Sequence, residues 1–248
     1  MEQSTEPEPL LAVEDLHVYL ESAHVLQGTS LTLTRGVLGI IGRNGMGKTT
    51  LVRTIMGLNP ARRGRIRFAG REITNLKTHQ IANRGIAYVP QGRAVFPSLS
   101  VHEHLKVATR RVNAEGWNPD RVYDLFPRLA ERRRFSGGSL SGGEQQMLAI
   151  GRALVTNPTL LVMDEPSEGL SPVILAHLIE TCGVLIKQEM HILLVEQNLH
   201  FVSSLVRDEL LIMLSGRIVN RVPGQVLLEN QTLRERFLGV ALDTGAGR

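Results

Sequence analysis

The sequence predicts an α/β fold with a mostly parallel sheet, an N-terminal antiparallel β subdomain and a helical lobe inserted in mid-chain. Short aliphatic runs alternate with stretches of helical spacing, polar and apolar side chains alternate through residues 1–35, and residues 91–157 contain helix-like segments without a convincing strand. The length of 248 residues suits one large domain or two closely joined lobes.

The predicted strands are short and mostly aliphatic. LAVEDLHVYL and TSLTLT have the alternation of antiparallel strands, and GRIRFAG is a further candidate. Continuous apolar runs predict buried parallel strands at Val37–Ile41, Ile86–Pro90, Thr159–Asp164 and His191–Glu196. Helical spacing is found in TTLVRTIMGL, THQIANRG, VHEHLKVATRR, PDRVYDLFPRL, GGEQQMLAIGRALVTN and PVILAHLIETCGVLIKQ.

These elements predict four parts of the chain. Residues 1–9 form a disordered tail, and residues 10–90 with 158–230 form the core together with the antiparallel subdomain. Residues 91–157 form the helical lobe, and residues 231–248 form a C-terminal helix and tail.

Composition argues against several classes of protein. The formal charge of +4, from 28 basic and 24 acidic side chains, is too balanced to indicate nucleic-acid binding. The one cysteine, Cys182, forbids an internal disulfide and lies in an apolar run, so we expect a buried structural thiol. No apolar run approaches the ~20 residues of a membrane span, and MEQSTEPEP is not a secretory signal. We therefore expect a cytosolic protein or one held at a membrane by a partner.

A glycine-rich loop, GRNGMGKTT, follows the predicted strand Val37–Ile41 and precedes a helix. Two glycines bracket four residues before Lys-Thr, which is the pattern of a phosphate-binding loop. Its backbone N–H groups can surround phosphates, Lys48 can reach the β- and γ-phosphates, and the Thr49 hydroxyl can hold Mg²⁺. The candidate phosphate-binding residues are Gly42, Asn44, Gly45, Gly47, Lys48, Thr49 and Thr50.

Two adjacent carboxylates end the predicted strand Thr159–Asp164. In phosphate-loop NTPases an aspartate at such a strand end orders the Mg²⁺ shell, which makes Asp164 a candidate metal residue. Glu165 points another way by strand alternation, toward an attacking water, and can act as general base.

The segment LSGGEQQ, Leu140–Gln146, places a serine and two glycines at the start of a helix-like run. Together with the phosphate loop and LLVMDEP, in this order and spacing, it resembles the ATPase subunits of ABC transporters, from about Leu10 to Gly239. The resemblance implies a RecA-like P-loop NTPase core, ATP and Mg²⁺ as cofactors, and two protomers that sandwich ATP head to tail.

The resemblance assigns roles to further residues. Gln91 matches a glutamine that contacts Mg²⁺ and the water and links the core to the helical lobe. Ser141, Gly142 and Gly143, with Glu144 beside them, match residues that contact the γ-phosphate held by the opposite protomer. A hydroxyl and a helix N-terminus suit an anion. A plain helix cap formed by Ser141 and Glu144 is compatible with the same geometry.

Three positions depart from the family pattern. Gln197 stands where most members have a histidine that contacts the γ-phosphate, and glutamine cannot carry a proton as imidazole does. Ser171 replaces the usual aspartate of the loop that signals between protomers. Tyr19 is the candidate for the aromatic ring that stacks on adenine, but it comes one position early, with Leu20 at the expected place. A strand-core tyrosine is the alternative.

These departures narrow the resemblance to one of the two ATPases of branched-chain amino acid importers, with urea, amide and aromatic-acid importers as related alternatives. The segments that carry it are VEQN, SEGLSP, RERFLG and PQGRAVFPSLSV. In PQGRAVFPSLSV, Phe96, Pro97 and Leu99 are candidate contacts for a membrane subunit, unless Phe96 belongs to the core of the helical lobe. Arginines of this lobe are candidates to face anionic lipid, although a solvated face is the plainer interpretation: Arg110, Arg111 and Arg132 to Arg134.

The implied partners are transmembrane permease subunits, a paralogous ATPase or a second copy of the chain, and indirectly a periplasmic solute-binding protein. The expected location is the cytoplasmic face of the inner membrane, with peripheral attachment. A low-turnover regulatory partner that binds ATP at the Gln197 site is an alternative. An ABC-type ATPase that works on nucleic acid is another, but the chain lacks a second cassette and a basic stripe with aromatics.

Overall fold

Two β-sheets and the helices around them organise residues 8–109, 116–206 and 208–239, which this computed structural model describes. The strands are β1 Leu11–Leu20, β2 Ala23–Leu33, β3 Val37–Ile41, β4 Arg63–Phe68, β5 Arg71–Glu72, β6 Ile86–Val89, β7 Leu160–Asp164, β8 His191–Glu196, β9 Leu210–Leu214 and β10 Arg217–Val222.

The helices are α1 Lys48–Ile55, α2 Thr78–Asn83, α3 Val101–Ala108, α4 Pro119–Leu125, α5 Pro127–Glu131, α6 Gly142–Leu154, α7 Pro172–Lys187, α8 Leu199–Leu205, α9 Gly224–Glu229 and α10 Gln231–Leu238. A 3-10 turn spans Gly137–Ser139. The segment PDRVYDLFPRL forms two helices, because Pro127 lacks an N–H and disfavours helical geometry at Phe126.

The strand order confirms the predicted fold class. One sheet is antiparallel, in the order β2-β1-β4-β5, and the other has the order β10-β9-β3-β8-β7-β6. In the second sheet β9, β3, β8, β7 and β6 pair in parallel, and only β10 pairs antiparallel. The carboxyl ends of β3 and β7 therefore lie on one edge, which brings the phosphate loop and the Asp164–Glu165 pair together.

Both faces of the mainly parallel sheet are buried, which explains the continuous apolar runs of its strands. Leu160 and Val162 pack in the core shared with α1 and the antiparallel sheet. Leu161 and Met163 pack in a second core with residues of α6 and α7. Strand β7 is buried along its whole length, so its terminal carboxylate is held by a rigid element.

The helical lobe packs α3, α4 and α5 against α6. Ser100 caps α3 by accepting from the N–H of Glu103, and Asn118 caps α4 by accepting from the N–H of Arg121. In the described part of residues 91–157, strand pairing is limited to a single bridge between Ser100 and Ser136, in line with the predicted helical character.

The hairpin of β9 and β10, which was not predicted, completes the edge of the second sheet and turns at Ser215 and Gly216. Cys182 is fully buried as predicted, and burial raises the pKa of its thiol to about 12.

Residues 1–7 of the predicted tail, Arg110, Arg111 and residues 240–248 lie outside the described residues. Among the described residues, no helix is both long and apolar enough to span a bilayer.

Candidate active site

The phosphate loop joins β3 to α1 and lines a cavity of about 440 Å³. Gly45 and Gly47 have φ of 79° and 100°, a region that glycine enters without the steric penalty of a Cβ. No side chain caps α1, so the N–H groups of its first turn are free of a side-chain acceptor. The cavity is lined by Val25, Asn44, Gly45, Gly47, Lys48, Thr49, Thr50, Gln91 and Glu165.

Lys48 is almost fully buried at the start of α1. Its Nζ donates to the carbonyl oxygens of Gly42 at 2.8 Å and Arg43 at 3.2 Å. The same Nζ lies 2.8 Å from Glu165 Oε1. Removing two charges from water is compensated only when the pair is close and well hydrogen-bonded, and these contacts meet that condition.

Asp164 ends β7 with no exposed surface. Thr49 Oγ1 donates to its Oδ1 and the Tyr88 hydroxyl donates to its Oδ2, each at 3.0 Å. Burial raises the pKa of Asp164, and the two hydrogen bonds oppose that shift. Burial and the Asp164 charge raise the pKa of Tyr88, so Tyr88 remains a donor to the carboxylate at neutral pH.

Glu165 follows Asp164 with a φ of 47°, a conformation that side chains other than glycine rarely adopt. Its N–H donates to the carbonyl of Val195 at 2.9 Å, which fixes the turn against β8. The turn directs its carboxylate into the cavity, where Oε1 contacts Lys48 and Oε2 accepts from Gln91 at 3.2 Å. Strained backbone at such a position is typical of functional sites.

Gln91 lies between two carboxylates after β6. Its Nε2 donates to Glu165 Oε2 and, at 2.9 Å, to Glu168 Oε2. Glu168 was not among the predicted site residues, although the sequence shows this further carboxylate three residues after Glu165. The amide thus connects the loop that leads to the helical lobe with the loop that follows β7.

Glu196 is a second residue that sequence reasoning missed. Its carboxylate is buried and accepts three backbone N–H groups: Ser167 on Oε1 at 2.9 Å, and Gln197 at 3.0 Å and Asn198 at 3.1 Å on Oε2. Burial raises the pKa of Glu196, while these hydrogen bonds favour the charged form. The residue ties the loop after Glu165 to the turn that carries Gln197.

Ser141 forms the predicted cap of α6 with Glu144. Ser141 Oγ accepts from the N–H of Glu144 at 3.3 Å, and Glu144 Oε2 accepts from the N–H of Ser141 at 2.8 Å. Partial burial raises the pKa of Glu144, but the hydrogen bonds from Ser141 and the charge of Arg132, whose Nε lies 3.1 Å from Glu144 Oε1, outweigh it and lower the pKa. None of residues 141–144 is among the described residues that line the cavity.

The glycines of this segment permit close packing. A Cβ on Gly142 would lie 2.6 Å from Arg93 Nη1, and one on Gly143 would lie 2.9 Å from Ile174 of α7. Both distances are too short for a side chain without movement of the neighbour. Glycine at both positions thus lets the Arg93 guanidinium and the Ile174 side chain pack closely against the start of α6.

The three residues that depart from the family pattern are not among the described residues that line the cavity. Gln197 is exposed, and Ser171 is the N-cap residue of α7 without a side-chain cap hydrogen bond. The ring of Tyr19 stacks on His24 at 4.2 Å, and Arg62 lies 4.9 Å from the ring centroid. The adenine contact of Tyr19 therefore stays a prediction, as does the γ-phosphate contact of Gln197.

The arrangement fits a nucleotide triphosphate with a divalent cation. An uncapped helix N-terminus with a lysine is a site for phosphate, and the Thr49 hydroxyl with the Asp164 carboxylate supplies oxygen ligands of the kind Mg²⁺ prefers. Among the described residues no group of three or more His, Cys, Asp or Glu could hold a metal.

Comparison with known proteins agrees with this geometry. The family model described as "ABC transporter" matches residues 26–168. The chain is 39% identical over 233 residues to the high-affinity branched-chain amino acid transport ATP-binding protein BraG of Pseudomonas aeruginosa, covering 93% of this chain and 100% of that protein. It is 34% identical over 231 residues to the probable branched-chain amino acid transport ATP-binding protein LivF of Archaeoglobus fulgidus, covering 92% and 94%.

The chain is also similar to solved structures of ABC transporter ATP-binding cassettes. An ATP-binding cassette of an ABC transporter in its ADP conformation superposes with a TM-score of 0.78 at 26% identity, covering 94% of this chain and 100% of that one. The chain therefore belongs to the ABC transporter family, as one of its nucleotide-binding ATPase cassettes. The class of enzyme predicted from the three motifs is confirmed.

Proposed function

We propose that this chain is the ATP-hydrolysing subunit of an ABC importer for branched-chain or other amino acids. The observation that carries the proposal is the 39% identity, across 93% of the chain, to a branched-chain amino acid transport ATP-binding protein. Lys48 and Glu165 line the cavity, and Asp164 is hydrogen-bonded to Thr49 of its lining, so the groups that ATP hydrolysis needs lie together.

Different residues would bind the phosphates, hold the metal and accept the proton of water. Lys48 and the N–H groups of the phosphate loop bind the phosphates, while Thr49, Asp164 and Gln91 would hold Mg²⁺. Bound there, Mg²⁺ would neutralise charge on the β- and γ-phosphates. Glu165 accepts the proton of the attacking water. In this mechanism Lys48 exchanges its contact with Glu165 for contacts with the phosphates.

A second protomer completes the site in this proposal. Ser141, Gly142 and Gly143 start α6 away from this chain's own cavity, as expected of residues that contact nucleotide held by the opposite protomer. Their hydroxyl and helix N-terminus suit the γ-phosphate. We propose a head-to-tail dimer, with a paralogous ATPase or with a second copy of this chain.

Coupling to membrane subunits uses the segment after Gln91. Phe96 is 54% exposed and its ring lies 5.6 Å from the Arg152 guanidinium and 5.7 Å from the ring of His104. An exposed aromatic held in place by its neighbours is suited to receive a helix of a transmembrane permease.

We propose that the protein is attached peripherally to the cytoplasmic face of the inner membrane, and that a periplasmic solute-binding protein delivers the solute.

The test is co-purification followed by reconstitution. The chain is expected to co-purify with two hydrophobic membrane proteins, and the complex in liposomes is expected to take up leucine, isoleucine or valine when ATP is supplied. Uptake of urea or amides instead would identify a related importer, and co-purification with RNA would contradict the transport function.

The regulatory alternative rests on Gln197, which replaces the usual histidine. ATP hydrolysis by the chain alone and with its paralogue separates the two proposals. An active subunit hydrolyses ATP in a Glu165-dependent manner, whereas a regulatory partner binds ATP while all turnover depends on the glutamate of the paralogue.

A further inference from the structure

Arg93, in the loop after Gln91, lies close to two other segments of the chain. Its Nη2 donates to the carbonyl of Glu168 at 3.4 Å, and Nη1 would lie 2.6 Å from a Cβ on Gly142. The guanidinium is therefore placed between the start of α6 and the loop that follows Glu165. A Cβ on Gly169 would also lie within 3.5 Å of Nη2, so the group fits closely against this loop.

The backbone at Arg93 supports this placement. Arg93 and Ala94 have φ of 67° and 43°, values that are rare for residues with a side chain. Arg152 of α6 donates through Nη2 to the carbonyl of Arg93 at 3.5 Å, and the N–H of Ala94 donates to the carbonyl of Gly92 at 2.8 Å. Helix α6 thus contacts both the backbone and the side chain of the same residue.

We propose that Arg93 is a positioning residue that couples the start of α6 to the catalytic carboxylate. The chain of contacts is continuous: Gly142 against Arg93, Arg93 to the backbone of Glu168, the Glu168 carboxylate to Gln91, and Gln91 to Glu165. When nucleotide and the second protomer engage residues 141–143, movement of α6 reaches Glu165 along this route. Arg93 is not among the described residues that line the cavity.

The planar fork of arginine suits this role, since Nη2 donates to the Glu168 carbonyl while Nη1 packs against Gly142. Lysine has a single charged nitrogen and cannot make both contacts in the same geometry. Arg93→Lys is therefore expected to resemble Arg93→Gln rather than the wild type. Arg65→Gln is the matched control, because Arg65 is exposed on β4 of the antiparallel sheet.

The first measurement is ATP hydrolysis by the assembled transporter. Arg93→Gln and Arg93→Lys are expected to lower kcat by about tenfold, the effect on a rate of losing one charge-assisted hydrogen bond. The KM for ATP is expected to change less than about twofold, because the residues that line the cavity are intact. A raised KM with unchanged kcat, or full activity of Arg93→Lys, would overturn the role of Arg93.

The second measurement does not require ATP hydrolysis. It therefore tests the positioning role of Arg93 separately from the proposed function, on which the kinetic measurement depends. Amide hydrogen exchange of the isolated chain is expected to rise at two places in Arg93→Gln, the first turn of α6 and residues 165–170, and at neither in Arg65→Gln. A rise at one place only, or at neither, would refute the link between them. If the wild type hydrolysed no ATP, the proposed function would fall, and the exchange data would still decide whether Arg93 joins the segments.

Discussion

Lys48 Nζ and Glu165 Oε1 are 2.8 Å apart, and both side chains are more than nine-tenths buried. The cation proposed to bind phosphate and the carboxylate proposed to act as general base therefore neutralise each other. Each group can begin its task only after the pair separates. The triphosphate, with its greater negative charge, is the natural competitor for Lys48. In the proposed mechanism, the pair therefore links phosphate binding to release of the general base.

Glu165→Gln is expected to reduce ATP hydrolysis on the order of a hundredfold or more, because glutamine cannot accept the proton of water. ATP binding is expected to persist, since Lys48 is no longer held by a charged partner. The measurement is phosphate release together with size-exclusion chromatography, which is expected to show an ATP-bound dimer. Glu180→Gln, an exposed change on α7, is the control. Unchanged turnover in Glu165→Gln would refute the assignment of the base.

Tyr88→Phe tests the support of Asp164, the proposed metal residue. Removing the hydroxyl takes away the donor to Asp164 Oδ2 and leaves Thr49 on Oδ1. Outer partners of metal ligands typically contribute tenfold or more to metal affinity, so the Mg²⁺ concentration for half-maximal hydrolysis is expected to rise by about tenfold. Tyr123→Phe is the control, as it removes a contact to His102 within the helical lobe. An unshifted Mg²⁺ titration would show that Tyr88 does not tune Asp164.

The fold class and the phosphate loop could be predicted because their signals are local. The run Leu160–Asp164 is buried on both faces, and its apolar sequence predicts a strand without knowledge of the neighbouring strands. The role of Glu196 could not be predicted in this way, because its three N–H partners come from two loops that only packing brings together. The same holds for the Arg93 contact with Gly142, which depends on residues 49 positions apart in sequence.

Tyr19 illustrates a second limit of prediction from the sequence. The sequence shows an aromatic residue near the expected place, but what its ring contacts depends on the partner strand. Strand register sets Tyr19 opposite His24, and the two rings stack at an interplanar angle of 4°. The hairpin of β9 and β10 was missed for a related reason, since its place in the sheet depends on pairing of β9 with the distant strand β3.

Glu196→Gln is expected to lower the free energy of unfolding by about 2 kcal/mol. Both carboxylate oxygens accept backbone N–H groups, and the amide NH₂ of glutamine would face at least one of those donors. Urea denaturation measures the effect. Glu209→Gln, which removes an exposed pair with Arg221, is the control and is expected to change stability by less than about 1 kcal/mol. Equal effects of the two substitutions would contradict the role of Glu196 as a buried tie between the loops.

His191 is expected to make stability sensitive to mild acid. Its Nδ1 accepts the N–H of Gly36 at 3.0 Å, a bond that requires this nitrogen to be unprotonated. Burial, followed by the charge of Arg35, lowers the pKa of His191 below its ordinary value of 6.5. The unfolded chain therefore takes up this proton first, so the stability that neutral His191 contributes is present above pH 6.5 and is lost as the pH falls through the lower folded-state pKa.

His191→Asn is the variant that isolates this effect, because its Oδ1 can accept the same N–H and does not titrate. The difference in Tm between wild type and variant, measured from about pH 7.5 to about pH 5, is expected to shift in favour of the variant as the pH falls. The other histidines remain in both proteins, so their titration cancels in the difference. A pH-independent difference would mean that His191 does not change its proton occupancy on unfolding in this range.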